Sequence, residues 1–420
     1  MKIAIITGSA RPIPATRGGA TQTMMTHLID VNEQQKKNDF IIYSYFDVEA
    51  EMISHQYQHS EFRYYHAHNT FDLLCGLPYR MLRKASRGRT YMKTNFIRWC
   101  IKRIKEDKPD VIVIEGNYFQ TLQLKNALNI PLILHMHIDG LHTGTDNGKN
   151  IVCACKGIFV ISDYCRKRVA QIDPAQATKV HVLKNAIDVD HFNTDGRMAF
   201  RRKYRAEHGI GEDAAVIAYC GRLDENKGVK EALEAFSMLE AKNTYMYIIG
   251  SSAYRDGKKN AYVRELEKLA GSLDNRVIFT GYISQEELPN YYAVADISVV
   301  PSKCQEAAGN VIIEAMACKL PVVTTKQGGI PEYADPSCCI LVDCDEKLPV
   351  HLKEALATLI DNKELYQNMQ KRARQVAQQY DKVHYYENFV ALIPRPWDSA
   401  GGSDGRASGH TQCWAAEPAE

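Results

Sequence analysis

The chain has 420 residues, of which 45% are hydrophobic and 24% are charged, and its formal net charge is +2. This length exceeds the roughly 250 to 300 residues at which one hydrophobic core usually divides, so we expect two domains. The near-neutral charge excludes a general nucleic-acid-binding protein, and no apolar run approaches the ~18 residues of a membrane-spanning helix.

The cellular compartment can be predicted from the first residues and from the pattern of cysteines. The apolar run from Ile3 to Ile6 is too short for a secretory signal, and we interpret it as a first buried strand. The twelve cysteines contain no Cys-x-x-Cys pair, which argues against a zinc or redox site. We therefore expect a cytoplasmic protein with reduced thiols.

Short apolar runs in the first half are each followed by a helix-like stretch, which predicts parallel strands joined by crossover helices. These predicted strands are Lys2 to Thr7, Phe40 to Tyr45, Val111 to Ile114, Leu132 to His135 and Gly157 to Ile161. The pattern starts again after a polar stretch at about 193–213. The predicted strands of the second half are Ala215 to Tyr219, Tyr245 to Ile249, Val277 to Thr280, Ile297 to Val300 and Pro321 to Thr324.

The fold class that follows is α/β, with two Rossmann-like, doubly wound domains that face each other across a cleft. We predict an N-terminal domain at 1–192 and a C-terminal domain at 193–372. A helical segment at 373–393 is expected to return to the first domain. The Gly, Ser and Ala-rich tail at 394–420 is expected to be disordered or foreign to the fold.

The first motif of the second half, Gly221 to Gly228, follows a predicted strand and precedes a predicted helix. A diphosphate bound at this turn needs positive charge. The Arg222 guanidinium can contact phosphate oxygens in two places, and Lys227 can add a mobile point charge. The glycines let the backbone approach a phosphate closely.

The second motif runs from Glu306 to Glu314 and sets two carboxylates eight positions apart. Gly309 stands at a predicted helix start, so the amides of Gly309, Asn310 and Val311 can hold a phosphate at the helix N-terminus. Glu314 is flanked by apolar residues and lies about two turns into the helix, where it can accept hydrogen bonds from ribose hydroxyls. The Glu306 carboxylate can contact a bound sugar.

Together with the Gly-Gly-Ile-Pro-Glu run at 328–332, these motifs resemble the family-four retaining glycosyltransferases of the GT-B fold (glycosyl transferases group 1), of the envelope-polysaccharide or spore-coat type. The resemblance covers nearly all of the chain before the tail. It implies that Arg222 and Lys227 bind the diphosphate of a nucleotide-sugar donor. It also implies that Glu306 contacts the donor sugar and that Glu314 binds the ribose.

Three departures from the family pattern are present. Lys319 stands where the family usually has Gly, and Ala307-Ala308 replaces the commoner Gly-Phe. Ala186 replaces Gly in a turn that resembles the family's Asn-Gly-x-Asp. We expect these departures to alter the sugar pocket and not the fold.

Two segments of the first half resemble family positions that face the cleft. Gly18 and Gly19 let a loop approach the donor phosphates or the acceptor. His135 and His137 lie at the end of the fourth predicted strand, where a neutral imidazole can hydrogen-bond the donor sugar. We favour His137, because the family's histidine usually precedes the loop directly, while His135 still belongs to the strand. The predicted catalytic residues are therefore His137, Glu306, Arg222 and Lys227.

The resemblance implies that a hexose is transferred with retention of the anomeric configuration, without a covalent intermediate, a divalent metal or a cofactor. Arg222, Lys227 and the helix amides can offset the charge of the leaving nucleotide diphosphate in place of a metal. Asp188-Val189-Asp190 and Asp343-Cys344-Asp345 match the Asp-x-Asp pattern of metal-dependent glycosyltransferases. We interpret both as chance matches and predict no metal site.

Residues 80–105 include ten basic residues and no acidic one, interleaved with apolar side chains. This segment is either a peripheral contact with the anionic inner face of the cell membrane or a solvated surface. The expected partners are a nucleotide-sugar donor, with a UDP-hexose favoured, and a glycan or glycolipid acceptor of the cell envelope, but no nucleic acid. Two alternatives stay open: a GT-B-type UDP-N-acetylglucosamine epimerase and a non-catalytic sugar-nucleotide-binding subunit.

Overall fold

The computed structural model describes residues 1–67, 95–241, 243–252, 260–274 and 276–394. Within these ranges the chain forms two fully parallel sheets, one in each half, with helices between successive strands. The predicted α/β class with two doubly wound domains is confirmed. No helix in the described part of the chain is long and apolar enough to span a bilayer.

The first sheet is built from β1 (Lys2–Ile6), β2 (Asp39–Tyr45), β3 (Ser60–Tyr65), β4 (Val111–Glu115), β5 (Leu132–Met136), β6 (Gly157–Val160) and β7 (Val180–Val182). Their order across the sheet is β3-β2-β1-β4-β5-β6-β7. The described helices of this half are α1 (Ala20–Gln35), α2 (Val48–Ser54), α3 (Asn95–Asp107), α4 (Phe119–Lys125), α5 (Gly148–Ala154) and α6 (Asp163–Ala170). Ala4 and Ile6 pack into one core, and Ile3 and Ile5 pack into another. Both faces of the sheet are therefore covered, as a continuous apolar strand requires.

The second sheet is built from β8 (Ala215–Cys220), β9 (Thr244–Ile249), β10 (Val277–Gly281), β11 (Ile297–Val300), β12 (Val322–Thr325) and β13 (Cys339–Val342). Their order is β10-β9-β8-β11-β12-β13. The described helices are α7 (Met198–Glu207), α8 (Val229–Ser237), α9 (Ala261–Ala270), α10 (Leu288–Val294), α11 (Asn310–Ala317) and α12 (Leu348–Asp361). Val216 and Ala218 face one core and Ile217 and Tyr219 face the other, so this sheet is also covered on both faces.

The return to the first domain differs in detail from the predicted helical segment at 373–393. One helix, α13 (Lys363–Ala377), packs against α11 in the second domain, and a second helix, α14 (Lys382–Leu392), packs against α1 in the first. The chain breaks between them because Asp381 is extended and its side chain accepts a hydrogen bond from the Val383 amide at 2.9 Å. The helix that returns to the first domain therefore starts at Lys382.

The chain also crosses between the domains at 184–190, next to the start of α14. Ile187 forms a bridge with Asp381, and the Lys382 Nζ lies 2.5 Å from the Asp188 Oδ2. The two crossings are thus joined by a backbone contact and an ion pair.

Several predictions fall on residues outside the described ranges. The basic segment at 80–105 is described only from Asn95 onward, and the tail is described only at Pro394. The departures from the family pattern lie within the described part, and the conformation of one of them, Lys319, is informative. Lys319 has a φ of 63°, a left-handed conformation that favours glycine, and its Nζ pairs with Asp195. The structure thus accommodates a lysine where the family usually has glycine.

Candidate active site

A cleft of about 500 Å³ lies between the two domains. Its lining combines the start of α1, the linker around Asp188, the ends of β8 and β9, and the first turns of α11. The predicted site residues in this lining are Gly18, Gly19, Arg222, Asn310, Val311 and Glu314. The predicted site residues outside it are His137, Lys227, Glu306 and Gly309. Side chains from both domains therefore meet at one cavity, with the second half supplying the charged groups Arg222 and Glu314.

Close backbone contacts shape the wall of the cleft. Gly250 follows β9 with a φ of 142°, and a Cβ at this position would lie 1.9 Å from the Gly221 carbonyl oxygen. Gly19 precedes α1 with a φ of 114°, and a Cβ there would lie 2.4 Å from the Gln22 Oε1. A side chain at Gly250 would overlap a backbone oxygen and strain the backbone, so glycine is required there; at Gly19 the flexible Gln22 side chain could move aside, and the positive φ alone favours glycine.

Arg222 is the more accessible of the two predicted phosphate-binding cations. Its side chain is 62% exposed, and its Nη1 lies 3.5 Å from the Asp224 Oδ2. An exposed ion pair at this distance contributes little to stability. The guanidinium can therefore turn toward an anionic ligand in the cleft at little cost.

Lys227 and Glu306 are paired with each other. The Lys227 Nζ contacts the Glu306 Oε1, and the Ser302 Oγ donates a hydrogen bond to the same oxygen at 2.9 Å. The loop that carries Glu306 is held by the glycine pair of the third motif, since the Gly329 amide donates to the Glu306 carbonyl oxygen at 2.7 Å. Gly328, with a φ of 59°, leaves room for this contact. Sequence reasoning assigned Lys227 and Glu306 separate roles and did not foresee their pairing.

Glu314 is a buried carboxyl in the cleft wall, with 9% of its surface exposed. Gln285 donates a hydrogen bond to its Oε1 at 3.1 Å, and the Tyr292 hydroxyl lies 3.5 Å from its Oε2. Burial raises the pKa of Glu314 to about 7, although both hydrogen bonds favour the charged form. A ligand hydroxyl that donates to this carboxylate would favour ionisation further. Gln285 was not identified from the sequence, because nothing in its local pattern marks it.

The Glu332 side chain of the third motif connects the two domains. Its carboxylate accepts hydrogen bonds from the Asp163 amide at 2.5 Å and the Tyr164 amide at 2.7 Å, at the start of α6. The carboxylate satisfies two free N–H groups at the positive end of the helix dipole. Beside it, the Tyr333 hydroxyl donates to the Ile161 carbonyl oxygen at 2.5 Å. The third motif therefore holds the second domain against the first.

The linker is tied to the first turn of α11 by a pair of asparagines. The Asn185 Nδ2 donates to the Asn310 Oδ1 at 2.7 Å, and the Asn185 amide donates to the Tyr333 hydroxyl at 3.0 Å. The Asn-Ala-Ile-Asp turn thus positions the helix start from which phosphate binding was predicted.

His135 and His137 both meet a buried carboxylate that the sequence analysis did not single out. The His137 Nε2 lies 2.6 Å from the Glu115 Oε2, and the His135 Nδ1 lies 3.1 Å from the same oxygen. The two imidazoles lower the pKa of Glu115 to about 2 against the opposing effect of burial. Burial, together with the neighbouring His135, lowers the pKa of His137. The side chain of His137 is 5% exposed.

The carboxylates of the two Asp-x-Asp matches are engaged with other parts of the protein. Asp188 pairs with Lys382, Asp190 with Arg374, Asp343 with Lys326, and Asp345 with His351. Among the described residues, one group of three ligand-type side chains has its donor atoms within 4.8 Å of one another, and it consists of Glu115, His135 and His137. Independence from metal stays a prediction.

Comparison with known proteins agrees with the fold. The family model described as Glycosyl transferases group 1 matches residues 200–376, and the model described as Glycosyltransferase Family 4 matches residues 48–191. Spore coat protein SA of Bacillus subtilis is 25% identical over 397 residues, which cover 90% of this chain and 95% of that protein. A lipopolysaccharide 1,2-N-acetylglucosaminetransferase of Salmonella typhimurium is 28% identical over 236 residues, covering 55% of this chain and 58% of that enzyme.

A solved structure of HepE from Anabaena, in complex with UDP and glucose, has a TM-score of 0.69 at 20% identity and covers 93% of this chain and 98% of that one. At this level of sequence identity, the structural similarity shows that the two proteins share a fold and no more. The two family matches lie in the two halves of the chain, and each half contains one of the two parallel sheets. The chain therefore belongs to the family-four glycosyltransferases with the GT-B fold.

Proposed function

We propose that the protein is a retaining, metal-independent glycosyltransferase that moves a hexose from a UDP-hexose to a hydroxyl of a cell-envelope glycan or glycolipid. The observation that carries this proposal is the cleft whose lining includes Arg222, the first turn of α11 and Glu314. Together they offer positive charge for a diphosphate, amides for a phosphate and a carboxylate for a ribose. These are the groups that a nucleotide-sugar donor requires.

In the proposed reaction the acceptor hydroxyl oxygen bonds to the anomeric carbon as the bond from that carbon to the diphosphate oxygen breaks. The hydroxyl proton passes to the departing phosphate oxygen on the same face of the sugar. Negative charge grows on the diphosphate, and Arg222 and the α11 amides stabilise it. Removing one such group is expected to raise the barrier by about 3 kcal/mol.

The choice of donor and acceptor draws on similar proteins. HepE of Anabaena, which shares the fold, has solved structures with UDP and with UDP-glucose. The relatives from Bacillus subtilis and Salmonella typhimurium are named for the spore coat and for lipopolysaccharide. These names favour a UDP-sugar and an acceptor of the cell envelope.

The test is a turnover assay in EDTA with UDP-glucose, UDP-galactose, UDP-N-acetylglucosamine and GDP-mannose, each with and without a panel of envelope glycans. Proton NMR of the product reports the anomeric configuration. We expect transfer from one UDP-sugar with retention, a loss of about 100-fold in Arg222→Ala, and full activity in Arg372→Ala, a matched exposed arginine on α13. Inversion, or activity that requires a metal, would refute the mechanism.

The same assay separates the two alternatives. Release of an epimerised sugar nucleotide without acceptor would identify an epimerase. Binding of a donor with neither transfer nor hydrolysis would identify a binding subunit.

We also propose peripheral contact with an anionic membrane through the basic segment 80–105. In its described part, α3 buries Phe96, Ile97 and Cys100 and exposes Arg98 and Lys102. Such a basic surface is attracted to anionic lipid over about one Debye length. Flotation with phosphatidylglycerol vesicles is expected to recover the protein at low salt and release it at high salt. Equal recovery with neutral phosphatidylcholine vesicles would contradict this contact.

A further inference from the structure

The group formed by Glu115, His135 and His137 lies where two neighbouring strands end. Glu115 is the last residue of β4 and stands opposite His135 of β5 in the sheet register, while His137 directly follows β5. Glu115 and His135 are both 0% exposed. The imidazole rings lie 4.1 Å apart between centroids. The register of two parallel strands thus places one carboxylate against two imidazoles.

The contact with Glu115 bears on which ring nitrogen of His137 carries a proton. With Glu115 ionised, as its two imidazole neighbours favour, the carboxylate has no proton to donate, and the His137 Nε2, at 2.6 Å from the Glu115 Oε2, donates to it. A buried carboxylate without such a donor would be strongly unfavourable. The second imidazole, with its Nδ1 3.1 Å from the same oxygen, limits the positions that the carboxylate can take.

We propose that Glu115 is the positioning residue for His137, holding the imidazole with Nε2 protonated and so setting the proton state in which His137 meets the substrate. This inference rests on the proposed function and on the sequence prediction that His137 contacts the donor sugar; in the structure His137 lies outside the cleft lining, with 5% of its side chain exposed. A carboxylate that orients a histidine in this way fixes its tautomer and stabilises its protonated form.

A metal ion at the same three groups would need a different arrangement. Ligand atoms about 2.0 to 2.1 Å from a tetrahedral zinc lie roughly 3.3 Å apart. The observed 2.6 Å between the His137 Nε2 and the Glu115 Oε2 is a hydrogen-bond distance. The contact is therefore that of a donor with its acceptor.

The first experiment reads the proton state directly. Nitrogen-15 NMR of histidine-labelled protein, with His137 assigned from the His137→Asn variant, is expected to show Nε2 protonated and Nδ1 unprotonated in the neutral ring. In Glu115→Gln the pKa of His137 is expected to fall, because a stabilising negative charge is lost. The other groups facing the pair are His135 and Tyr385 of α14, and burial keeps the pKa of Tyr385 well above its usual value. An Nδ1-protonated His137 in the native protein would overturn the proposal.

The second experiment measures the consequence for turnover. In Glu115→Gln we expect kcat to fall about tenfold or more and its pH profile to shift, with the donor dissociation constant changed less than about twofold. Glu115→Asp, which keeps the charge, is expected to recover part of the loss. Unchanged kcat and pH profile in Glu115→Gln, beside a defective His137→Ala, would refute the positioning role. Tight binding of one zinc ion, lost in His135→Ala, would refute it as well.

If the native protein turns over no sugar nucleotide, the proposed function fails, while the NMR titration still decides whether Glu115 sets the proton state of His137.

Discussion

The buried carboxyl of Glu314 predicts that Glu314→Gln stabilises the ligand-free protein at alkaline pH. Burial raises the pKa of this group from 4.5 to about 7. The folded state therefore binds the proton more tightly than the unfolded state. The stability contributed by the protonated group is complete below about pH 4.5 and is lost as the pH rises to about 7. At about 1.4 kcal/mol per pKa unit, the loss amounts to roughly 3 kcal/mol.

Glutamine keeps the size of the side chain and an oxygen that can accept from Gln285, but it cannot ionise. We expect the melting temperature of Glu314→Gln to exceed that of the native protein by about 4 to 10 °C near pH 8, and the difference to fall to about a quarter of this near pH 5. Differential scanning fluorimetry at several pH values measures it. Glu286→Gln, an exposed carboxyl of the neighbouring loop, is the control. A difference that is equal at both pH values, or a less stable variant near pH 8, would show that the buried Glu314 carboxyl is not the source of the pH dependence.

Three further substitutions test the packing around the site. Gly228→Ala is expected to lower the free energy of unfolding by about 3 kcal/mol or more, because its Cβ would lie 1.9 Å from a backbone carbonyl oxygen. Gly209→Ala is the control: Gly209 has a similar φ with open space around it, and the loss in thermal melts is expected to be about 1 kcal/mol. Asp296→Asn removes the carboxylate that pairs with the Arg205 side chain, which is 3% exposed. The free energy of unfolding in urea is expected to fall by about 3 kcal/mol. Glu332→Ala removes the carboxylate that accepts from the Asp163 and Tyr164 amides at the start of α6, and it is expected to increase the radius of gyration in X-ray scattering. No change would show that other contacts hold the domains together.

The central strands could be predicted from the sequence because each is a continuous apolar run buried on both faces. β3 was missed because Glu61 and Arg63 interrupt its apolar pattern at the sheet edge, where one side of the strand has no neighbour in the sheet. β7 was missed because it has three residues. Element bounds at 373–393 were wrong in detail, since α13 ends at Ala377, a short 3-10 turn follows at Gln378–Tyr380, and Asp381 caps the start of α14.

The cleft residues that carry a local motif could also be found from the sequence, as Arg222 and Glu314 show. Residues that come into contact only when separate elements pack together could not be identified from the sequence. Glu115 is an ordinary strand-end residue until the register of β4 with β5 sets it opposite His135. Gln285 reaches Glu314 from a different loop, and Lys227 meets Glu306 across 79 positions of the chain. These contacts depend on the packing of separate elements, which no local pattern encodes.

Calorimetric titration of UDP, GDP and ADP sugars in EDTA, on the native protein and on Arg222→Ala and Glu314→Ala, tests whether the cleft is the donor site. We expect metal-free binding of one UDP-sugar that is strongly weakened in both variants and kept in Arg372→Ala. Absence of binding for every nucleotide, or binding that both variants retain, would contradict the assignment of the cleft as the donor site.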